Sequence, residues 1–188
     1  MPLAVAPPAA GPAAGVAALG GFHNDLPAAW TTLDAIVAAR APEIDWAGLR
    51  RLCLFFDDQV NHPADCCRSS LGFVVAERGT DAELQAAAAA WRAHPLVTHR
   101  GLHVACFPAG ECLATQDLPC RGPPSYLLCL IRALHGLRTQ VRRSGVHAAV
   151  PGLLQLRCPR RRTVAFLLPL DRRAELLPFA PPSHCTEH

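Results

Sequence analysis

Apolar residues recur along this chain in two rhythms, one of helical and one of strand type, and the rhythm changes at prolines, glycines and charged positions. Leu26, Trp30, Leu33 and Val37 follow one another at steps of four, three and four, the spacing that gathers side chains on one helical face. Asp25 offers a cap in front of them and Pro27 suits a first turn, so the pattern predicts an amphipathic helix ending near Arg40. Arg51 to Phe56 and Ser69 to Ala76 are compact apolar runs on either side of a polar, proline-bearing loop over 57–67, which predicts a hairpin with a long connection. Thr80 and Glu83 stand at capping-box spacing before an alanine-rich helix that reaches Arg92 and is stopped by Pro95. Ahead of all these, Val16 to Phe22 is a short strand candidate weakened by Gly20 and Gly21.

The same succession returns about 100 residues later, a period far too long for a solenoid and suited to two halves of one duplicated domain. Glu111 to Leu118 predicts a strand, Pro123 and Pro124 open a helix, and Leu153 to Cys158 with Thr163 to Leu168 form a second hairpin. His103 to Phe107 supplies one more strand, expected beside the second half. Strand, helix and hairpin thus occur twice. The fold class this predicts is α+β: an antiparallel sheet with a pseudo-two-fold axis and helices on one face, because a sheet must bury its apolar side against something. The groove between the halves is then the natural place for a ligand.

Composition narrows the chemistry. A chain of 188 residues that is 51% hydrophobic can bury a core of its own, expected over 16–170, between an Ala/Pro/Gly leader at 1–15 that is expected to be disordered and a tail at 171–188. Prolines at 2, 7, 8 and 12 and the lack of a basic start argue against a signal peptide or membrane span in the leader. The net charge is +3, and all 18 positive charges are arginines, which excludes lysine Schiff bases and P-loop lysines. The dense run Arg160 to Arg162 reads as a solvated hairpin tip, and the spread of the other arginines argues against nucleic acid as a partner. Nine cysteines, an odd number, include Cys53, Cys106 and Cys129 inside apolar segments, the pattern of reduced core thiols. Without a C-x-x-C pair or histidines at zinc spacing, neither a metal nor another cofactor is expected.

One constellation resembles a known family. Phe55-Phe56-Asp57-Asp58, then Pro63, Cys67-Arg68 and Gly72, is similar to the hairpin of the gyrase-inhibitor-like (GyrI-like) family, a fold of the SHS2 type. Phe22-His23, Val104 to Ala109 and Pro169-Leu170 extend the likeness from about Val16 to Leu170. It runs closest to the part of the family that serves as receptors in selective autophagy of the endoplasmic reticulum (reticulophagy). The resemblance implies a cytosol-facing, non-enzymatic adaptor domain that meets protein partners at that membrane. Such receptors are expected to carry an anchor and an acidic tail that this stretch does not show, so a truncated or divergent relative is expected. The alternatives it implies are a domain binding a small apolar ligand in the central groove, or a degenerate cyclopropane-opening hydrolase. Gln59 departs from the family's loop proline. A further departure matters more: where the family places a groove glutamate, this chain has Leu154 without a gap or Gln155 with a one-residue shift, and neither can act as a carboxylate.

Several residues carry two readings. Phe22, Trp30, Phe56, Tyr126, Leu154 and Gln155 are the candidates to line a groove, although aromatics at such spacings are more often core. Asp57-Asp58 favours a turn over an acid pair, Cys66-Cys67 near His62 lacks the surroundings of a nucleophile, and His135 suits a helix surface. Trp46 and Leu49, in Glu43-Ile44-Asp45-Trp46-Ala47-Gly48-Leu49, have the form of peptides that add a strand to ubiquitin-like autophagy modifiers, against the simpler reading of a linker covering a sheet edge.

Overall fold

The computed structural model describes residues 14–18, 26–57, 67–76, 80–98, 102–105, 112–144 and 152–170. Phe22, Asp25, Asp58, Gln59, His62, Pro63, Cys66 and Cys106, the first thirteen residues and the stretch 171–188 lie outside the described residues. The elements run β1 (Ala14–Ala18), α1 (Leu26–Arg40), β2 (Arg50–Phe55), β3 (Ser69–Ala76), α2 (Asp81–Arg92), α3 (Pro95–Thr98), β4 (Leu102–Ala105), β5 (Cys112–Ala114), β6 (Leu118–Pro119), α4 (Pro123–Ser144), β7 (Leu153–Cys158) and β8 (Thr163–Pro169), with a 3-10 turn at Trp46–Gly48.

Local chemistry accounts for most of these boundaries. The Thr80 hydroxyl accepts from the Glu83 N–H at 3.3 Å while the Glu83 carboxylate accepts from the Thr80 N–H at 2.7 Å, so both partners satisfy donors that the first turn of α2 leaves open. At the start of α4, Pro123 and Pro124 bring no N–H, and the Ser125 hydroxyl accepts from the N–H groups of Arg121 and Gly122 at 2.8 and 3.0 Å. The β7–β8 hairpin turns at 159–162, where Arg162 takes a left-handed conformation with φ of 50° and donates its N–H to the Pro159 carbonyl. Pro95, expected only to stop a helix, also opens the single turn of α3.

The strands form one antiparallel sheet in the order β4-β1-β3-β2-β7-β8-β5, with β6 also on β8. Three expectations are corrected here. The first strand begins at Ala14, earlier than the predicted Val16 and inside the expected leader, and it ends at Ala18. It lies between β3 and β4, so β4 sits at the edge beside the first half rather than beside the second. The predicted strand over 111–118 is split in two. Ala114 pairs with Leu167 and Leu118 with Val164, so four steps on one strand match three on the other. Thr115 accommodates the extra residue, its N–H donating to the Phe166 carbonyl and its hydroxyl accepting from the Phe166 N–H, each at 2.9 Å.

Cross-strand register assigns the faces. Leu71, Cys53, Gln155 and Phe166 stand opposite one another in successive strands and share a face. On it, α1, α2 and the Trp46 turn pack against Cys53, Phe55, Leu71 and Phe73, while α4 packs Cys129, Ala133 and Leu137 against Val164, Phe166 and Leu168. Leu52, Leu54, Phe56, Val74, Leu154, Leu156 and Leu167 form a third buried cluster on the other face, to which no described helix contributes. The described part of the chain is therefore α+β, an antiparallel sheet with its helices on one face.

Candidate functional site

α1 and α4 cover adjacent parts of one face, and the seam between their two clusters lies over the central strands β2 and β7. At the floor of this seam Cys53 and Gln155, both buried, are directly opposed across the β2–β7 ladder. Leu153 is half-buried and packs against both the α1 cluster and the α4 cluster, bridging the two. On the α4 side the Tyr126 hydroxyl donates to the Gln155 carboxamide oxygen at 2.7 Å. Burial is the main cause that pushes the Tyr126 phenol well above its ordinary range, with the neighbouring Cys53 and Cys120 adding to it. Burial also holds the Cys53 thiol protonated. The floor is thus neutral and hydrogen-bonded, with a thiol of no nucleophilic character.

On the α1 side the wall is different. Arg51 lies 4.9 Å from the centre of the Trp30 ring and donates to Asp34 at 2.8 Å. The stacking compensates a guanidinium whose Nε finds no hydrogen-bond partner among the described residues. Trp30 in turn meets Phe73 edge-on at 5.8 Å. Arg51 faces Arg157 across the ladder, so two cationic groups stand side by side at this end of the seam.

Of the residues expected to line a groove, Trp30, Tyr126 and Gln155 all lie on the helix-covered side of the sheet, Tyr126 against Gln155 and Trp30 apart from them against Phe73 and Arg51. Phe56 and Leu154 do not: both are buried in the cluster on the opposite face, a consequence of strand parity. Parity also separates the two aligned positions, since Gln155 points to the helices and Leu154 away from them. Phe22 lies outside the described residues. Trp46 is 7% exposed, its ring 5.1 Å from Phe73 and 5.9 Å from Trp91, and its indole N–H donates to the Ala41 carbonyl at 2.8 Å. Leu49 packs against the same cluster. While that packing holds, neither side chain is free to fill a partner's pockets.

The family-like hairpin closes on an ion pair. Asp57 accepts from the Arg68 N–H at 2.6 Å and from its guanidinium at 2.8 and 3.0 Å, tying the two ends of the 57–68 loop together. The role of this motif is architectural. Sequence reasoning missed an open depression of about 540 Å³ lined by Thr31, Thr32, Ala35, Ile36, Ala39 and Arg40, on the flank of α1 away from Trp30. Its lining, four of six residues Thr or Ala, carries no sequence signal that would distinguish it from a solvated face.

Comparison with known protein families and with curated proteins finds no match. Among solved structures, the chain is similar to an uncharacterized conserved protein from Listeria innocua, at 11% identity and a TM-score of 0.46 over 85% of this chain and 88% of that one. A likeness at that level carries no statement about function. Among the described residues no helix is long and apolar enough to cross a membrane, and no cluster of three or more His, Cys, Asp or Glu is disposed to hold a metal ion.

Proposed function

We propose that this chain is a GyrI-like binding and adaptor module without catalytic activity, recruiting protein partners in the setting of selective autophagy of the endoplasmic reticulum that the family resemblance implies. The observation that carries the reading is Gln155. It is one of the two positions, with Leu154, to which the resemblance assigns a groove glutamate, it is the one of the two on the helix-covered face, and its carboxamide oxygen is already engaged by Tyr126. A carboxamide neither takes up nor releases a proton near neutral pH, and it offers a cationic ligand no counter-charge. With the Cys53 thiol held neutral beside it, the floor supports recognition rather than turnover.

A duplicated origin belongs to the same proposal. In β1-α1-β2-β3 and in β5-α4-β7-β8 the first strand lies against the last, the last pairs with the third, and the two sets meet antiparallel at β2 and β7. A half-turn about an axis normal to the sheet, near Cys53 and Gln155, would exchange them. An experimental structure in which that rotation fails to bring α1 onto α4 removes the duplication.

The functional test is calorimetric titration with tetraphenylphosphonium, a lipophilic cation, together with an assay of activated-ester hydrolysis. The wild-type chain is expected to give neither saturable heat nor saturable turnover. Turnover that survives Gln155→Ala overturns the non-catalytic reading. Tight cation binding that is lost on Trp30→Ala replaces the adaptor with a small-molecule-binding domain.

A further inference from the structure

Away from that seam, α4 presents a face that none of the clusters among the described residues uses. Leu127, Leu128 and Ile131 are 56%, 57% and 56% exposed, although such residues ordinarily go inside. Steps of three and four place them on one side of the helix, away from Cys129, Ala133 and Leu137, which the core holds. Because that inner face is anchored, the outer one is held in a fixed orientation. Farther along the same side the apolar residues give way to His135 and Arg142, with Arg132 and Arg143 on the flank, all exposed. The helix carries no Asp or Glu over its 22 residues. Its outer surface therefore joins an apolar patch to a cationic one.

We infer that this face of α4 docks an acidic peptide segment of a partner protein, one that sets two or three large apolar side chains beside several carboxylates. Charge complementarity selects the occupant. A second copy of the chain would bring arginines against arginines, which disfavours a symmetric contact. A bilayer surface requires an apolar stripe running along a helix, whereas this one extends from Leu127 to Ile131, about 6 Å of axis at 1.5 Å per residue. Carboxylates of the segment pair with Arg132, Arg142 and Arg143, whose planar forks suit them, and its apolar anchors cover Leu127, Leu128 and Ile131. A patch of this size belongs with small, transient interfaces, the kind that recruitment uses. The inference deepens the adaptor reading and rests on it.

Selection of a random peptide display library on the wild-type chain, counter-selected on the Leu128→Ser/Ile131→Ser variant, tests the proposal. The expected survivors are acidic peptides with two or more large apolar residues. A synthetic copy of a survivor is expected to lose about tenfold or more in affinity on Leu128→Ser/Ile131→Ser and on Arg132→Glu/Arg142→Glu, and to bind more weakly as salt is raised. Matched denaturation midpoints separate lost docking from lost folding; should the first variant unfold, the arginine variant carries the test. The proposal is overturned by the absence of survivors, by survivors without negative charge, or by affinity indifferent to both variants. It is equally overturned if these substitutions abolish sedimentation with phosphatidylserine vesicles, or self-association in the ultracentrifuge, with no peptide selected. Tight binding of the lipophilic cation that is lost on Trp30→Ala removes the adaptor reading as a whole, whereas no cation binding together with no selected peptide removes only the assignment to α4.

Discussion

Two long helices lie on the same face of one sheet, and their outward surfaces differ in kind. The outer side of α1 is made of Ala28, Thr31, Thr32, Ala35, Ala38 and Ala39, small residues that leave little apolar area in water. Its half of the molecule turns its aromatic mass inward, with Trp30 and Trp46 each against Phe73 and Trp91 against Trp46. The α4 half does the reverse. Its inner contacts with the sheet use Cys129, Ala133 and Leu137, while Leu127, Leu128 and Ile131 stand in solvent. The contrast teaches that large apolar side chains need not follow the demand of the core. The α1 half holds its large side chains against the sheet, whereas α4 leaves three of its own exposed.

The strongest test of that division is Trp46→Ala. Loss of a buried indole with two aromatic neighbours and a buried hydrogen bond is expected to cost about 3 to 5 kcal/mol, a large share of a typical stability, and urea denaturation measures it. The same burial leads to the expectation that the intact chain binds a ubiquitin-like autophagy modifier no tighter than weakly micromolar, since freeing Trp46 requires local unfolding. Sub-micromolar binding abolished by Trp46→Ala would show that this element is a hook rather than a part of the core. Next in size is Asp57→Asn, which weakens the clamp across the 57–68 loop and is expected to cost about 1.5 to 3 kcal/mol, the range for hydrogen bonds to charged groups. A change below about 0.5 kcal/mol would mean that the loop is held by other contacts.

On the α4 side the effects are smaller and have a spectroscopic signature. Tyr126 is the only tyrosine in the chain, so tyrosinate absorbance reports it alone. Its folded pKa lies above the ordinary 10.0, so the sign is alkaline: its contribution to stability is fully present below about pH 10 and is lost as pH rises through the folded value. Native protein is expected to show no tyrosinate at pH values where the urea-unfolded chain ionises. Gln155→Leu is expected to cost about 1 to 3 kcal/mol by leaving the phenol unpaired, and Tyr126→Phe about 1 kcal/mol. The double variant is expected to cost less than the two singles together, because it removes both halves of a buried polar pair. Strict additivity would break the contact.

How much of this was legible follows from which signals are local. The helix at Leu26, the capping box at Thr80 and the hairpin from Leu153 to Leu168 rest on spacing within a few residues, and the structure has them where the spacing put them. Strand order is decided by pairing between distant segments, so nothing in Leu102 to Ala105 announces that β4 lies beside β1. The interruption at Thr115 depends on a side chain replacing a backbone partner on β8, which no window around Glu111 contains. The groove residues fall between these cases. The alternation Leu52, Leu54, Phe56 against Cys53, Phe55 carried the parity that separates Phe56 from Trp30, and the even-numbered Leu154 from Gln155, but only knowledge of which face the helices cover turns it into a site. The outer leucines of α4 look like core residues in any one-dimensional reading, because hydrophobicity does not say which side of a helix the sheet occupies.

The smallest expected effect isolates the comparison between the two helices. If Leu127 and Leu128 are there for display, Leu127→Ser and Leu128→Ser remove nothing that the fold uses, and each is expected to change stability by no more than about 0.5 kcal/mol. A serine at these exposed positions gives up a little helix propensity, a few tenths of a kcal/mol, which fits within that bound. The reciprocal change, Ala35→Leu with Ala39→Leu, would give α1 an apolar outer face like that of α4 and is also expected to leave the denaturation midpoint nearly unchanged. Its effect should appear instead in solution behaviour, as increased self-association or dye binding from a new exposed patch. If instead Leu128→Ser costs 2 kcal/mol or so, the range of a core truncation, the residue is packed in solution and the outer face of α4 is covered. Measured side by side by urea denaturation, the four substitutions distinguish a helix that needs its leucines from one that offers them.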